Sequence, residues 1–298
     1  MGRKKLFLIT IACVLAWAMS QTACSFLEFR QSDEQLTTYF FQKKISTRIV
    51  RYPMPEGRTI RYIEAGASDS MPTVVIIHGA PSSLSVANGV LSDTNLLRVA
   101  KTVGVDRPGY GYSDYGWAET SISRQAELLA PMLENLKAKS QRRPTVLMGV
   151  SFGGPIAAYL AAERPDLVDG LILAAPAIEP GAETVYDISY PMRWRLTSWL
   201  FPASLVVATD EKFVHKAELT AMLPLWERIK IPVAYIQGED DEVVNPSSAK
   251  FARRMLVNAP SLEITMIPNQ KHFLSIPQRK LLVNTAIQMV EKVSLKKK

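Results

Sequence analysis

The chain has few cysteines and few histidines. Two of its 298 residues are cysteine and three are histidine. Cys13 lies inside an N-terminal apolar run, so only Cys24 is left once that run is removed, and no intrachain disulfide is then available. A reaction that needs an imidazole must therefore use His78, His215 or His272.

Long apolar runs are also scarce. The longest covers residues 6–19, which is too short for a comfortable span of about 20 residues. The chain is 47% hydrophobic and 21% charged, as in soluble globular proteins, which excludes a disordered chain and a many-span membrane protein. Residues 3–5 supply three of the seven net positive charges, leaving +4 from Cys24 onward. We interpret lysines 296–298 as a solvated tail and expect no nucleic-acid partner.

The N-terminus has the pattern of an export signal, with basic residues before the apolar run. Residues 21–24, Gln-Thr-Ala-Cys, resemble the lipobox of bacterial lipoproteins, although Gln21 stands where an apolar residue is usual. The resemblance implies a signal peptide over residues 1–23, lipidation of Cys24 and a membrane anchor at the cell envelope. Cleavage near residues 16–18, giving a secreted or periplasmic protein, and an uncleaved anchor both stay open.

After an N-terminal segment at 24–45, residues 46–298 are predicted to form one α/β domain. Residues 46–64 favour an antiparallel hairpin around Pro55-Glu56-Gly57. Apolar runs without strict alternation, typical of strands buried on both faces, occupy residues 73–77, 102–105, 145–150, 171–175, 233–237 and 262–267. Helical periodicity occupies residues 123–137, 155–163, 246–257 and 277–293. This alternation predicts a mostly parallel sheet covered on both sides, with the hairpin at one edge.

Residues 177–228 interrupt the alternation of strand and helix. They contain Trp194, Trp199 and Trp226 together with several methionines and prolines. We predict a helical cap inserted before the next strand and covering the active site. An ordinary packing layer, in which the aromatic side chains are core residues, is the alternative.

Residues 149–153 read Gly-Val-Ser-Phe-Gly and fit the pattern G-x-S-x-G. They follow a predicted buried strand and precede a predicted helix, which is the context of a nucleophile elbow. Gly149 and Gly153 leave room for a strained turn that exposes the Ser151 hydroxyl, and the Phe152 N–H is placed to bind an oxyanion. A purely structural turn is the alternative.

The general base is predicted by elimination. His78 ends an early strand, and His215 falls inside the inserted segment, where packing or exposure is the simpler role. His272 follows the last predicted strand, and catalytic groups gather at the carboxyl ends of parallel strands. We therefore predict that His272 activates Ser151.

The acid that orients this histidine is predicted in the cluster Gly238-Glu239-Asp240-Asp241, which ends the strand at 233–237. A carboxylate there would accept a hydrogen bond from the imidazole and select its tautomer. We prefer Asp241 to Asp240. An acidic turn that caps a helix before Pro246 is the alternative.

Several motifs together resemble the α/β-hydrolase superfamily across residues 58–290. His78-Gly79-Ala80-Pro81 is similar to its H-G-x-P turn, and residues 106–114 resemble its D-x-x-G-x-G-x-S loop. Gly238-x-x-Asp241 and the stretch 269–273 match its acid and histidine positions. The resemblance implies that Ala80 supplies the second oxyanion N–H beside Phe152, and that neither a metal nor an organic cofactor is needed.

The expected activity is cleavage of a carboxylic ester or related acyl bond in a small-molecule substrate. Related enzymes with an aspartate in place of Ser151 carry out alkyl-enzyme chemistry, which is therefore disfavoured. Proline iminopeptidases usually have H-G-G-P-G and a tryptophan after the serine, so Ala80 and Phe152 weaken a peptidase assignment. Acyl transfer, peptide or C–C bond cleavage, and a non-catalytic ligand-binding protein of the envelope stay open. The sequence carries no signal for an oligomeric state.

Overall fold

The computed structural model describes residues 29–66, 68–182, 187–274 and 277–295. The predicted signal peptide at 1–23, the lipidation candidate Cys24 and lysines 296–298 lie outside the described residues. Within those described ranges, no helix has the length and apolar character needed to cross a membrane.

An eight-stranded sheet organises the described residues. Its strands are β1 (Thr47–Pro53), β2 (Thr59–Ala65), β3 (Thr73–Ile77), β4 (Lys101–Val105), β5 (Thr145–Val150), β6 (Gly170–Ala174), β7 (Val233–Gly238) and β8 (Leu262–Ile267). Their order across the sheet is β1-β2-β4-β3-β5-β6-β7-β8. β1 pairs antiparallel with β2, which pairs antiparallel with β4, and the remaining pairs are parallel. The predicted fold class, with its N-terminal hairpin at one edge, is confirmed.

The central strands are buried on both faces because their sequences are apolar at successive positions. Every residue of β3 and β6 is buried. Val75 and Ile77 of β3 face one hydrophobic cluster, while Val74 and Ile76 face the other. Side chains alternate across a strand, so such a run requires a helical layer on each side of the sheet.

Nine α-helices accompany the sheet in the described ranges: α1 (Asp33–Gln42), α2 (Asn88–Leu91), α3 (Thr94–Leu97), α4 (Ile122–Lys139), α5 (Gly153–Glu163), α6 (Ser189–Arg193), α7 (Ala203–Met222), α8 (Ser248–Met255) and α9 (Arg279–Leu295). Helices α4, α5 and α8 and the end of α7 pack in the first cluster. Helices α1, α2, α3 and α9 pack in the second. The sheet is thereby covered on both faces.

Helix α1 lies in the segment 24–45, to which the sequence patterns assigned no element. Ser32 caps it by accepting from the Gln35 N–H, and the Gln35 side chain accepts from the Ser32 N–H in return. Leu36 and Phe40, one helical turn apart, are fully buried in the second cluster. The folded core therefore begins before the first strand.

The segment between β6 and β7 is helical, as predicted. It contains α6, a 3-10 turn at Ser198–Leu200, α7 and a second 3-10 turn at Leu223–Arg228. Trp226 is buried with its ring 5.7 Å from that of Phe251, so it has the packing role given above as the alternative. Trp194 and Trp199 are 59% and 69% exposed, so they are not core residues.

Candidate active site

Ser151 occupies a sharp turn between β5 and α5. Its φ angle is +50°, in the left-handed region that side chains other than glycine seldom adopt. Gly153 must lack a side chain, because a Cβ there would lie 2.2 Å from the carbonyl oxygen of Ile77. Ser151 itself is only partly buried. The turn therefore presents its hydroxyl at the carboxyl end of the sheet, accessible to a substrate.

The imidazole of His272 lies between Ser151 and Asp241. Its Nε2 is 3.0 Å from the Ser151 Oγ, and its Nδ1 is 2.8 Å from the Asp241 Oδ2. These residues are 121 and 31 positions apart along the chain, yet their side chains form one hydrogen-bonded row. The row orients the imidazole so that Nδ1 carries the proton and Nε2 can accept one from the serine.

The Asp241 carboxylate is held on both of its oxygens. Oδ1 accepts from the backbone N–H groups of Val243 and Val244, each at 2.9 Å, while Oδ2 faces His272. Burial alone would raise the pKa of Asp241, but the hydrogen bond and charge of His272, together with the two backbone donors, bring it below its usual value. The carboxylate is therefore ionised at neutral pH.

Asp240 and Glu239 are exposed, so of the acidic cluster it is Asp241 that faces the imidazole. Backbone bonds join this turn to the histidine loop: Glu239 N–H donates to the Ile267 carbonyl at 3.0 Å, and Asp240 N–H to Gln270 at 3.1 Å. Helix α8 begins only at Ser248, and Asp241 binds the N–H groups of a turn before it. The helix-capping alternative therefore does not describe Asp241.

The two N–H groups predicted to bind an oxyanion flank the serine. A Cβ built on Gly79 would lie 2.8 Å from the Ser151 Cβ, so the turn at 78–81 runs directly beside the nucleophile. In the described part of the chain, neither the Ala80 nor the Phe152 N–H donates to a protein acceptor. Both are available to a ligand oxygen.

The other two histidines are held elsewhere. His78 is fully buried, accepts the Arg107 N–H on Nε2 at 3.0 Å and donates from Nδ1 to the Gly79 carbonyl at 2.6 Å. Burial, and then the positive charge of Arg107, hold its pKa well below the usual value. His215 lies on α7 and bonds to the Ala177 carbonyl at 3.0 Å. His272 is thus the histidine that contacts Ser151, and its role as general base stays a prediction.

The loop at 106–114 is held in place by the buried carboxylate of Asp106. Asp106 is fully buried and accepts from Arg61 Nε at 2.7 Å and from the backbone N–H groups of Leu84 and Tyr112, each at 2.9 Å. Burial raises the pKa of Asp106 in spite of these donors. Asp106 thereby fixes this loop to β2 and to the segment that follows the turn at 78–81.

Sequence reasoning missed Glu211. This residue of α7 is fully buried and accepts from Arg107 Nη1 at 2.6 Å and from Tyr110 Oη at 2.6 Å. Gln125 Nε2 donates to it at 2.8 Å. The signal was present, because Glu211 is a charged residue on the same helical face as the apolar Val207 and Leu219. Its partner, Arg107, lies 104 positions away.

The donor set suits acid–base and nucleophilic chemistry. Among the described residues, no group of three or more His, Cys, Asp or Glu side chains is arranged to hold a metal ion. The row of carboxylate, imidazole and hydroxyl, with two N–H donors beside the hydroxyl, is the arrangement that acyl transfer to a serine requires.

This architecture is the α/β-hydrolase fold, and a sequence profile of the alpha/beta hydrolase fold family matches residues 72–200. Among relatives, esterase Rv0045c of Mycobacterium tuberculosis is 33% identical over 134 residues, which are 42% of this chain and 40% of the relative. Human monoacylglycerol lipase ABHD6 is 27% identical over 208 residues, which are 67% of this chain and 57% of the relative. The chain thus spans only part of these two relatives.

A solved structure of a putative lipase from Acinetobacter baumannii has a similar fold. Its TM-score to this chain is 0.65 with 21% sequence identity, over 88% of this chain and 96% of the other. At that identity the likeness shows the fold alone.

Proposed function

We propose that this chain is a serine hydrolase that cleaves a carboxylic ester or a related acyl bond. His272, oriented by Asp241, removes the Ser151 proton as the hydroxyl oxygen attacks the acyl carbonyl carbon. The N–H groups of Ala80 and Phe152 stabilise the oxyanion. The leaving alcohol takes the proton from His272, and water, activated by the same imidazole, then releases the acyl group and restores Ser151.

The observation that carries this proposal is the hydrogen-bonded row of Asp241, His272 and Ser151, with separations of 2.8 and 3.0 Å. The strained backbone of Ser151 and the two available N–H groups add to it, since an oxyanion donor contributes about 3 to 4 kcal/mol in comparable sites. Relatives named esterase and monoacylglycerol lipase support ester substrates.

The test uses p-nitrophenyl esters of increasing acyl chain length with the wild-type chain and Ser151→Ala. We expect Ser151→Ala to lower kcat by about a millionfold, because the nucleophile and its base act as a unit. Ser70→Ala, at an exposed serine, is the matched control and should retain wild-type turnover. Ester hydrolysis that persists in Ser151→Ala would contradict the proposal. A folded wild-type chain without esterase activity would favour acyl transfer, other bond cleavage or a binding role.

We also propose that the mature protein is exported and anchored to a bacterial membrane through a lipid on Cys24. This proposal rests on the sequence, where a basic and apolar leader precedes Ala23-Cys24. One acyl chain binds a membrane only marginally, so stable anchoring at Cys24 would require more than one.

Mass spectrometry of the mature N-terminus tests the anchor. We expect a chain that begins at Cys24 and carries acyl groups, and a Cys24→Ser variant that keeps its leader or leaves the membrane fraction. Cys13→Ser, inside the leader, is the matched control and should be processed normally. A mature chain that begins near residue 18, or unmodified Cys24, would contradict lipidation.

A further inference from the structure

Helix α7 is linked to both loops that carry the candidate oxyanion donors, to one through Arg107 and to the other through His215. Glu211 and His215 are four residues apart, so they lie on the same face of the helix, one turn from each other. Both are buried, with Val207 and Leu219 continuing the buried stripe. The charged and the imidazole side chain in this stripe need hydrogen-bond partners, because burying such groups without them is costly.

Glu211 acts on the first loop through Arg107. The guanidinium donates to the Glu211 carboxylate from Nη1 and Nη2, at 2.6 and 3.2 Å. It also donates from Nε to the His78 carbonyl at 2.9 Å and from Nη2 to the Gly79 carbonyl at 3.3 Å. The Gly79 carbonyl belongs to the same peptide unit as the Ala80 N–H. Since a peptide unit is planar, holding its oxygen fixes the direction of its N–H.

His215 acts on the second loop through Ala177. Its Nε2 donates to the Ala177 carbonyl at 3.0 Å, and the Ala177 N–H donates to the Ser151 carbonyl at 3.1 Å. That carbonyl shares its peptide unit with the Phe152 N–H. Burial chiefly lowers the pKa of His215 to about 4, although the bond to Ala177 opposes this, so the ring is neutral and keeps one proton for the carbonyl.

The side chains of Arg107 and His215 both pack against the Phe152 ring. The His215 ring lies 4.5 Å from the Phe152 ring, centroid to centroid, and the Arg107 guanidinium carbon lies 4.8 Å from the same centroid. Phe152 thus contacts both His215 and Arg107, the two side chains that link α7 to the loops.

We propose that Glu211 and His215 are positioning residues that set, from the inserted segment, the directions of the Ala80 and Phe152 N–H groups. The inference rests on the proposed function, because those N–H groups matter only if an oxyanion forms there. A substrate that displaces α7 would change the oxyanion site, so the inserted segment and the catalytic step are coupled.

The test compares Glu211→Gln, His215→Phe and His215→Gln with Leu219→Ala. Glu211→Gln keeps the shape of the side chain but removes the charge opposite Arg107. His215→Phe keeps the ring against Phe152 and removes the donor to Ala177, whereas His215→Gln keeps an N–H donor. Leu219→Ala makes a cavity in the same buried stripe and removes none of the hydrogen bonds described above, so it controls for loss of stability.

The measurements are kcat and KM for p-nitrophenyl butyrate, the Ki of n-butylboronic acid and Tm. The boronate bonds to the serine and places an oxygen where the oxyanion forms, so its affinity follows transition-state stabilisation. We expect Glu211→Gln and His215→Phe to lower kcat by about 10- to 100-fold and to raise the Ki in parallel, while KM changes by less than about twofold. His215→Gln should recover part of kcat.

Leu219→Ala should lower Tm and leave kcat and Ki unchanged. If Glu211→Gln and His215→Phe likewise lower Tm but leave kcat and Ki unchanged, α7 is merely structural and the inference is wrong. Glu211→Gln leaves Arg107 buried without its carboxylate, so if it fails to fold, the two His215 variants decide the question. A wild-type chain that neither hydrolyses the ester nor binds the boronate would instead overturn the proposed function.

Discussion

Asp240 and Asp241 are neighbours in the chain, yet their surroundings in the fold differ. Asp240 is exposed, whereas Asp241 is 5% exposed and bonded to His272. The sequence predicted an acid at the end of β7 because an acidic cluster ends that strand, and the spacing from Gly238 in the motif it resembles favoured Asp241. The two N–H groups that bind its other oxygen could not be predicted, since they depend on how the turn at 241–244 folds.

At this scale we expect Asp241→Asn to lower kcat by about 10⁴-fold with little change in KM. The amide can hold His272 only in the tautomer with its proton on Nε2, which cannot accept the serine proton. Asp240→Asn is a matched control one position away and should keep kcat within about twofold. Steady-state kinetics on a p-nitrophenyl ester measures both. Equal losses in the two variants would show that Asp241 has no special role.

At the scale of elements, the strands were predictable and α1 was not. The central strands are apolar at nearly every position, so their runs stand out from the helices around them. Helix α1 buries only Leu36 and Phe40, too few residues for a clear helical period. Its local signal was the pair Ser32 and Gln35, three residues apart, which forms a capping box.

Helix α7 was predicted only as part of an inserted helical segment. The pairing of Glu211 with Arg107 was beyond the sequence patterns, because contacts between residues 104 positions apart leave no local signature. A charged residue in an apolar stripe predicts that a partner exists without saying which residue it is.

The buried imidazole of α7 predicts how stability changes with pH. The pKa of His215 is about 4 in the folded chain, against about 6.5 for an exposed histidine. The unfolded state therefore binds more protons below about pH 6.5, so the stability present above that pH is lost as the pH falls toward about 4. Each pKa unit corresponds to about 1.4 kcal/mol, so the loss approaches about 3 kcal/mol.

Urea unfolding at about pH 7 and about pH 4.5 measures this effect. We expect the free energy of unfolding to fall more for the wild type than for His215→Phe, which has no group to protonate at that position. His78 is also buried with a lowered pKa and remains in both proteins, so it contributes equally to each. The same fall in both proteins would contradict the buried, neutral state of His215.

At the scale of the whole molecule, fold class was predictable while strand order was not. Alternating strands and helices imply a parallel sheet, and the carboxyl ends of its strands bring Ser151, Asp241 and His272 to one edge. That β4 lies between β2 and β3 follows from long-range pairing, such as Val75 with Val103 and Ile63 with Gly104. No local pattern encodes these registers. The convergence of the three side chains has the predicted geometry, and their catalytic role stays a prediction.

The central claim is that Ser151 is a nucleophile activated by His272. It is tested most directly by treating the folded chain with a fluorophosphonate and locating the adduct by peptide mass spectrometry. The account predicts one phosphonyl group, carried on Ser151, with labelling lost in Ser151→Ala and slowed by about a thousandfold or more in His272→Ala, which lacks the base. A folded chain that stays unlabelled, or that carries the adduct on another residue, would contradict it.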